Sequence, residues 1–469
     1  MSGKCFIPKL SELSLQLRKQ SWSETGKRGC FDIIDQSTMI ERVLVIIETR
    51  MVSVIRAKRP VAYTNYVDNE DGLGDVLIPQ LHRQLKDYVG QISSMYRGVR
   101  YHSFMHATHV VISLNKMINM MTDEHRPKQR GIEKDGPIFS STKGKQSSKK
   151  DLNAANCGQS EQHCFGLCND PMAHFVLVFA ALVHDVDHSG VCNKSLVEEG
   201  SELAILYNNL SIAEQNSLAI AFSILFEPSF EALRDAVFPA AEDYIRFMDE
   251  VNHLVIHTDL GSPKIKESKQ LWNEKFGKDF DDESSILSKC ENTNVGDERQ
   301  KSLMMELLLQ AADVAHNIQG WDNLVLWNHR LYDEMLFSFQ HGKGDDPAPN
   351  WFKGQICFFD GYIIPLAKKL RQCGIFGKRG DKFLNCVLEN RRRWLVEGEA
   401  VTRDFGSVPS IKRELSNAIT SADNRDDAYL NDGDDEDDDL SSLSNSAEVR
   451  ESSHILPIFS QVKRIKTER

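Results

Sequence analysis

Apolar residues recur along most of this chain at the three- and four-residue spacing of an α-helix. Between Met39 and Ser53, for example, Ile40, Val43, Ile47 and Met51 fall on one side of a helical projection. The spacing predicts a helix there that packs on the main body of the protein. A dimerising or regulatory helix is the alternative.

Two further stretches show the same period. The first runs from about residue 86 to 121, and the second from about 172 to 413. Asp170 and Pro171 form a typical helix start, with a capping residue followed by proline in the first turn. Met172–Val183 is then apolar on nearly every side, which predicts a buried helix. Since no segment alternates convincingly between apolar and polar residues, we predict an all-α fold, a compact multi-helix bundle.

Two stretches break this pattern through their composition. Residues 123–160 are rich in Lys, Ser, Gly and Asp, which predicts a solvated insertion loop. The end of the chain contains the acidic run Asp434–Asp439 and a serine-rich segment, so residues 414–469 are predicted to be a disordered tail. The chain is thus divided into a partly helical N-terminal region of unclear role (1–85), a folded domain (86–413) and the tail.

Charge and hydropathy exclude several classes of protein. The formal net charge is -12, whereas a general nucleic-acid binder needs a basic face, so no nucleic-acid partner is expected. No stretch approaches the ~20 apolar residues of a membrane helix, and Met1–Lys4 lacks the apolar core of a signal peptide. We therefore expect a cytoplasmic protein without a membrane span. Its ten scattered cysteines suit reduced thiols.

The first group of residues with chemical potential is the segment Tyr101-His102-Ser103-Phe104-Met105-His106. On a helix, residues four apart share a face, so His102 and His106 would point into one cleft. One imidazole would then be a metal ligand and the other an acid. A surface pair, or a pair satisfied within the core, is the alternative.

A second group, His184-Asp185-Val186-Asp187-His188, follows the apolar helix predicted for Met172–Val183. Ionisable side chains at the end of a buried segment are costly unless they are paired or bind metal. A polar helix end with capping and ion pairs is the alternative. Asp313, after the apolar run Leu303–Leu309, supplies one more carboxylate.

Together, these groups make a plausible metal centre. Two imidazoles and two carboxylates, from His106, His184, Asp185 and Asp313, suit a first cation such as Zn²⁺. Oxygen-rich positions beside them suit Mg²⁺ or Mn²⁺. Two ions about 3.5–4 Å apart can share a hydroxide and hold phosphoryl oxygens. His102 would then protonate the leaving oxygen.

With these clusters in this order, the sequence resembles the class I cyclic nucleotide phosphodiesterases. Their pattern is Tyr-His-Asn-x-x-His, then His-Asp-x-Asp-His-x-Gly-x-x-Asn, then an Asp after an apolar helix, and last a Gln-x-x-Phe before Pro-Leu. The corresponding segments are Tyr101–His106, His184–Asn193, Asp313, Gln355–Phe359 and Pro365-Leu366. The resemblance covers residues 86–413 and implies a bundle of the HD-domain type.

The resemblance also implies roles for individual residues. The general acid would be His102, and Asp185 would reach from the first metal to the second. Gln355 would hydrogen-bond the purine, which would lie between Phe358 and Leu331. The full set of residues that would contact the nucleotide or its phosphate is Tyr101, His188, His316, Leu331, Gln355 and Phe358. A third set would line the water shell of the second metal: Glu214, Thr258 and Asp259. Glu334 matches a family glutamate on the helix after Asp313.

Some positions depart from the family pattern. Ser103 replaces the usual Asn, and Asn216 and Ser217 stand where many members have histidines, which affects the water network of the second metal. The implied function is hydrolysis of cyclic AMP or cyclic GMP to the 5′-monophosphate, which ends a signal. The alternatives are a non-catalytic nucleotide sensor and another His-Asp metal phosphohydrolase. A homodimer is left open, and regulatory partners are unknown.

Overall fold

The computed structural model describes residues 32–58, 64–65, 76–125, 164–277 and 298–405, with side chains from 36 to 58 and from 77 onward in these ranges. Most of the predicted insertion (126–160) and the predicted tail (414–469) therefore lie outside the described residues. Within the described ranges, no helix is both long and apolar enough to cross a membrane.

The described residues are almost entirely helical, as predicted. The helices are α1 (Asp32–Lys58), α2 (Pro79–Met95), α3 (Phe104–Glu124), α4 (Pro171–Val183), α5 (Asn193–Glu198), α6 (Glu202–Leu206), α7 (Ile212–Leu225), α8 (Glu231–Val237), α9 (Ala241–Ile256), α10 (Pro263–Phe276), α11 (Glu298–Asp313), α12 (Trp321–Gln340), α13 (Trp351–Phe358), α14 (Ile364–Gln372) and α15 (Arg379–Phe405). Short 3₁₀ turns lie at Pro228–Phe230, Ala315–Asn317 and Ala348–Asn350. Two two-residue strands, β1 (Thr64–Asn65) and β2 (Val76–Leu77), pair antiparallel.

Helix α4 lies at the centre of the bundle. Every side chain from Met172 to Val183 is buried, and the helix contacts α1, α3, α9 and α11. Its start is fixed by Asp170, whose carboxylate accepts a hydrogen bond from the Ala173 amide at 3.0 Å. The predicted buried helix is confirmed, and it carries the chain out of the core at His184.

Helix α1 contains the helix predicted around Met39–Ser53 and extends it at both ends. Val43, Ile47 and Ile55 are at most 1% exposed and belong to the same hydrophobic core as α4. Arg50 adds a polar link, because its guanidinium donates to the Asn115 amide oxygen on α3 at 2.6 and 2.9 Å. The helix thus packs on the main body, as predicted.

The helical region predicted from 86 to 121 is interrupted, and this part of the prediction is wrong. α2 ends at Met95 and α3 begins only at Phe104. In between, the backbone amides of Tyr101 and His102 donate to the carboxylate of Glu334, at 2.6 and 3.0 Å, instead of bonding within a helix. His102 therefore lies before α3 and does not share a helical face with His106.

A π-helical turn, Phe359–Ile363, joins α13 to α14. Pro365, in the first turn of α14, has no amide hydrogen, and its ring would clash with the carbonyl four residues earlier, so a normal α-helical turn is excluded there. A widened turn of this kind changes the direction of the side chains around it, and such turns are frequent at functional sites. Phe358 directly precedes this turn, and Tyr362 lies within it.

Candidate active site

Four side chains from three separate parts of the chain converge at one end of the buried helix. His106 comes from the start of α3, His184 and Asp185 directly follow α4, and Asp313 is the last residue of α11. The Asp313 Oδ1 atom lies 2.9 Å from His106 Nε2 and 3.4 Å from His184 Nε2. The Asp185 Oδ2 atom lies 3.1 Å from His184 Nε2 and 3.7 Å from His106 Nε2. The structure thus brings together all four predicted metal ligands.

The hydrogen bonding of these residues fits a cation. His184 Nδ1 lies 3.0 Å from the Ala181 carbonyl, to which it donates, so in the neutral ring the Nε2 lone pair faces the carboxylates. His184 Nε2 and Asp185 Oδ2 are buried and lack a hydrogen-bond partner, although only 3.1 Å separates them. Two acceptors held this close are unfavourable unless a positive charge lies between them. The set of two imidazole nitrogens and two carboxylates suits Zn²⁺.

Electrostatics point the same way. Burial would raise the pKa of Asp313, but the His106 and His184 rings beside it lower it well below its usual range. Burial would likewise lower the pKa of His184, yet the Asp185 and Asp313 carboxylates raise it. The site therefore stabilises positive charge, which a divalent cation supplies when it displaces the imidazole proton.

A second cluster, formed by His102, His188 and Glu334, lies beside the first. His102 Nδ1 is 2.5 Å from Glu334 Oε1, and Glu334 is almost completely buried. Burial by itself would lower the pKa of His102, but Glu334, Asp185 and Asp313 outweigh it and raise this pKa to about 9. His102 is thus held in its protonated form at neutral pH.

The His188 ring lies against the His102 ring, with centroids 3.8 Å apart and planes tilted by 32°. Its Nδ1 atom accepts a hydrogen bond from the Gly190 amide at 3.1 Å. Burial and the neighbouring charge of His102 lower the pKa of His188 to about 4, so this imidazole is neutral. One protonated and one neutral imidazole therefore stand side by side at the edge of the candidate metal site.

The turn that carries His188 is fixed from two sides. Arg97 holds Asp187 through Nε–Oδ1 and Nη2–Oδ2 contacts of 2.8 and 3.1 Å, and Asn216 donates to the same carboxylate at 3.2 Å. At Gly190, φ is +77°, and a Cβ atom would lie 3.1 Å from the side chain of Glu334. Sequence reasoning missed Arg97, since nothing in its local pattern pairs it with Asp187.

Among the residues predicted around a second cation, Glu214 is influenced by the charges of Asp259 and Asp185. Glu214 accepts a hydrogen bond from the Asn193 amide at 2.9 Å, and Ser211 donates to Asp259 at 2.8 Å. Burial, followed by the charge of Asp259, raises the pKa of Glu214 to about 7. A carboxylate whose proton affinity is raised by a neighbouring carboxylate also attracts a cation. Thr258, by contrast, donates its hydroxyl hydrogen to the Val255 carbonyl.

Three of the predicted nucleotide contacts lie on α12 and α13, with Leu331 on the first of these helices and Gln355 and Phe358 on the second. Gln355 is 5% exposed, and Phe358 stacks on Tyr362 with ring centroids 5.4 Å apart. Burial, followed by the charge of Asp313, raises the pKa of Tyr362. Leu331 is half-buried on α12. Tyr362 was not predicted, because no residue pattern marks the π-helical turn in which it lies.

Tyr101 and His316 pack against the back of the site. The Tyr101 ring lies 4.6 Å from His106 and 5.7 Å from Trp327, centroid to centroid. His316 is 5% exposed, 5.9 Å from Tyr101 and 6.0 Å from Trp327. Burial lowers the pKa of His316 well below its usual value, so its ring is neutral. Tyr101 thus packs on the predicted ligand His106, and His316 packs on Tyr101 and Trp327.

A helical bundle that gathers two imidazoles and two carboxylates at the end of its central helix belongs to the class of all-α proteins with a His-Asp metal centre. The family model described as 3′5′-cyclic nucleotide phosphodiesterase matches residues 101–375, more than half of the chain. The chain belongs to this family, and the resemblance noted in the sequence is confirmed.

Individual relatives are distant. A cGMP-specific 3′,5′-cGMP phosphodiesterase from Dictyostelium discoideum is 22% identical over 49% of this chain and 47% of its own length. A dual specificity calcium/calmodulin-dependent 3′,5′-cyclic nucleotide phosphodiesterase from Bos taurus is 25% identical over 39% of this chain and 32% of its own length. The chain thus spans about half or less of these relatives.

Among solved structures, the phosphodiesterase domain of a RhoPDE fusion protein from the choanoflagellate Salpingoeca rosetta superposes with a TM-score of 0.51. The match covers 78% of this chain and 93% of that one, at 17% sequence identity. At this identity the likeness concerns the fold, and it confirms the predicted all-α bundle.

Proposed function

We propose that this protein hydrolyses 3′,5′-cyclic nucleotides to 5′-nucleoside monophosphates. The observation that carries the proposal is the meeting of His106, His184, Asp185 and Asp313 around buried acceptor atoms, directly beside the His102–Glu334 pair. Membership in the family supports it. Catalysis would then take place in the domain of residues 86–413. The reaction would take place in the cytoplasm.

The chain offers places for two cations. His106, His184, Asp185 and Asp313 would hold the first, for which Zn²⁺ fits the mixed nitrogen and oxygen donors. Asp185 would also contact the second, Mg²⁺ or Mn²⁺, with Glu214, Thr258 and Asp259 around its water shell. When bound, such ions polarise a phosphoryl group and make water nucleophilic at neutral pH.

His102 would protonate the leaving 3′-oxygen. The Glu334 carboxylate accepts from His102 Nδ1 and from two backbone amides, so it holds both the ring and the main chain of this residue. The opposite ring nitrogen, Nε2, is then the proton-donating atom. His188, neutral and lying against His102, would bind the phosphate by hydrogen bonding rather than by charge.

The purine would lie between Phe358 and Leu331, with its edge on Gln355. The stacking of Phe358 on Tyr362 fixes the orientation of the aromatic face. An amide both donates and accepts, so Gln355 can serve adenine or guanine after rotation. The matched relatives are named as cGMP-specific and as dual specificity enzymes. We propose at most a modest preference between the two nucleotides, and a strict preference in kcat/KM would contradict this.

A metal-reconstitution assay tests the proposal. The protein is dialysed against a chelator, its metal content is measured, and Zn²⁺ with Mg²⁺ or Mn²⁺ is added back together with cyclic AMP or cyclic GMP. We expect 5′-AMP or 5′-GMP to appear only after metal is restored. Binding of cyclic nucleotide without product, at full metal content, would instead identify a sensor. Hydrolysis of other phosphate esters, but of neither cyclic nucleotide, would identify a different phosphohydrolase.

A further inference from the structure

A third cluster of histidine and carboxylate side chains lies away from the candidate active site, between α9 and α11. His253 is on the last turn of α9, His257 directly follows that helix, and Glu306 is in the middle of α11. The Glu306 Oε1 atom is 2.7 Å from His253 Nε2 and 4.0 Å from His257 Nε2. The two imidazole rings have centroids 4.1 Å apart and planes tilted by 38°. Both imidazoles thus turn the same nitrogen toward one carboxylate oxygen.

We propose that His253, His257 and Glu306 form an additional site for Zn²⁺ or a similar borderline divalent cation. Two imidazole nitrogens and one carboxylate oxygen are a common donor set for such ions, with a fourth position for water. The three donor atoms lie within 4.8 Å of one another. Donors bound tetrahedrally at about 2.0–2.2 Å lie roughly 3.3 Å apart, so the observed separations bracket the required value.

The hydrogen bonds of the cluster prepare the donors for a cation. His257 Nδ1 lies 2.6 Å from the His253 carbonyl, to which it donates, and in the neutral ring this leaves the Nε2 lone pair free to bind metal. Burial would raise the pKa of Glu306, but the hydrogen bond from His253 and the nearby His257 lower it. The carboxylate is therefore charged despite being only 6% exposed.

Access to the site comes from the side of His253. This imidazole is 37% exposed, whereas His257 and Glu306 are 4% and 6% exposed. A cation could therefore enter from solvent and keep a water ligand on the open side. The surface pair His82–Glu48 likewise brings an imidazole to 3.0 Å from a carboxylate. It lacks a second imidazole, however. This pair serves as a matched control.

A cation at this site would join two helices that end at the candidate active site. His257 directly precedes Thr258 and Asp259, and Gln310 on α11 donates to the His257 carbonyl at 3.0 Å. α11 continues from Glu306 to Asp313. Metal bound between α9 and α11 would therefore clamp the segments that position Asp259 and Asp313. We assign it a structural rather than a catalytic role.

Zinc stoichiometry tests this site directly. The stripped full-length protein is dialysed to equilibrium with Zn²⁺, and bound metal is measured for the wild type, His253→Ala, Glu306→Gln and the control His82→Ala. We expect about one equivalent per chain less in the first two variants and no loss in the control. Equal zinc binding in all four proteins would overturn the proposal.

Thermal unfolding provides a second readout that does not depend on turnover. In chelator, melting curves show whether each variant folds. On adding Zn²⁺, we expect Tm of the wild type and of His82→Ala to rise by more than Tm of His253→Ala and Glu306→Gln, because a ligand that binds only the folded state stabilises it. An equal rise in all four would place every stabilising ion at the first site. Glu306→Gln keeps the shape of the side chain, so its result remains informative if His253→Ala is poorly folded.

Discussion

Two neighbouring clusters in this protein contain the same chemical groups and are prepared for different tasks. The first comprises His106, His184, Asp185 and Asp313, and the second comprises His102, His188 and Glu334. In the first, His184 Nε2 and Asp185 Oδ2 are buried side by side without a hydrogen bond. In the second, one carboxylate receives the His102 ring at 2.5 Å and two backbone amides as well. Residue type alone does not distinguish them.

The difference lies in where the positive charge resides. Glu334 is satisfied by three donors, so the second cluster is complete with a proton on His102. In the first cluster, a neutral His184 ring presents an acceptor atom to the Asp185 carboxylate, so a proton or a metal ion is needed between them. An imidazole close to a carboxylate is therefore suited to act as an acid where the carboxylate accepts its proton and other donors. It is suited to bind metal where its nitrogen and the carboxylate lack such donors.

The largest effect is expected from Asp313→Ala, which removes a carboxylate from the first cluster only. Bound metal should fall, and turnover should decrease by on the order of 10⁴-fold or more, because activation of water depends on the cation. Metal analysis and kcat measurements on the same preparations check this. Asp333→Ala, at a half-buried aspartate on α12, is the control and should retain both properties. Full metal content in Asp313→Ala would remove this residue from the ligand set.

His102→Ala should separate the two clusters. It removes the acid of the second and leaves the donors of the first intact, so metal content stays at the wild-type level while kcat falls about 10²–10⁴-fold. Metal analysis beside a turnover assay distinguishes these effects. Loss of metal in this variant would show that the roles of acid and ligand have been interchanged.

Glu334→Gln should change the pH dependence more than the maximal rate. Without the carboxylate, burial lowers the pKa of His102, so the alkaline limb of the kcat/KM profile should move to lower pH than in the wild type. Cations bound at Asp185 and Asp313 offset the effect of those carboxylates, so the wild-type limb itself lies below about 9. An unchanged alkaline limb would mean that His102 is not the titrating acid.

Glu334→Gln should also change how the free energy of unfolding depends on pH. The pKa of His102 is raised from 6.5 to about 9, so its contribution to stability is complete below pH 6.5 and is lost as pH rises through 9. Burial would raise the pKa of Glu334, but His102 lowers it from 4.5 to about 2, so this contribution is complete above pH 4.5 and is lost toward pH 2. The free energy of unfolding of the wild type should therefore exceed that of Glu334→Gln mainly between about pH 2 and about pH 9. Denaturant titrations in metal-free buffer at several pH values measure this difference.

The smallest effect is expected from Gly190→Ala. A positive φ costs an alanine about 1–2 kcal/mol, and here the added Cβ also approaches Glu334. We expect a loss of about 1–3 kcal/mol in the free energy of unfolding. Gly342→Ala is a matched control, since φ is +73° there and no atom lies within 4 Å of the added Cβ. Equal losses in both variants would show that the contact with Glu334 has no energetic consequence.

Much of the fold was predictable because burial leaves a strong imprint on sequence. The central helix was recognised from its continuous apolar residues and from Asp170-Pro171, and α1 from the spacing of Val43, Ile47 and Met51. The break between α2 and α3 was not predictable. It depends on Glu334, more than 200 residues away, which takes the amide hydrogens of Tyr101 and His102 out of any helix.

The candidate site was predicted through ordered motifs rather than through local chemistry. Asp313 looked like an ordinary helix end, and only its partnership with His106 and His184 gives it significance. Arg97, Tyr362 and the His253 cluster escaped prediction because each depends on contacts between distant segments. The roles assigned to individual residues remain predictions that the variants above can test.

The first cluster lies at the end of the buried central helix. Metal supply therefore affects how much of the protein is folded, as well as how fast each folded copy turns over substrate. A cation that binds the folded chain shifts the folding equilibrium of the entire bundle, since α4 contacts α1, α3, α9 and α11. If the proposed first cation is Zn²⁺, a cell short of zinc would hold fewer folded copies of this protein. If the proposed hydrolysis also holds, zinc scarcity would prolong a cyclic nucleotide signal both through the missing metal and through the smaller number of folded copies.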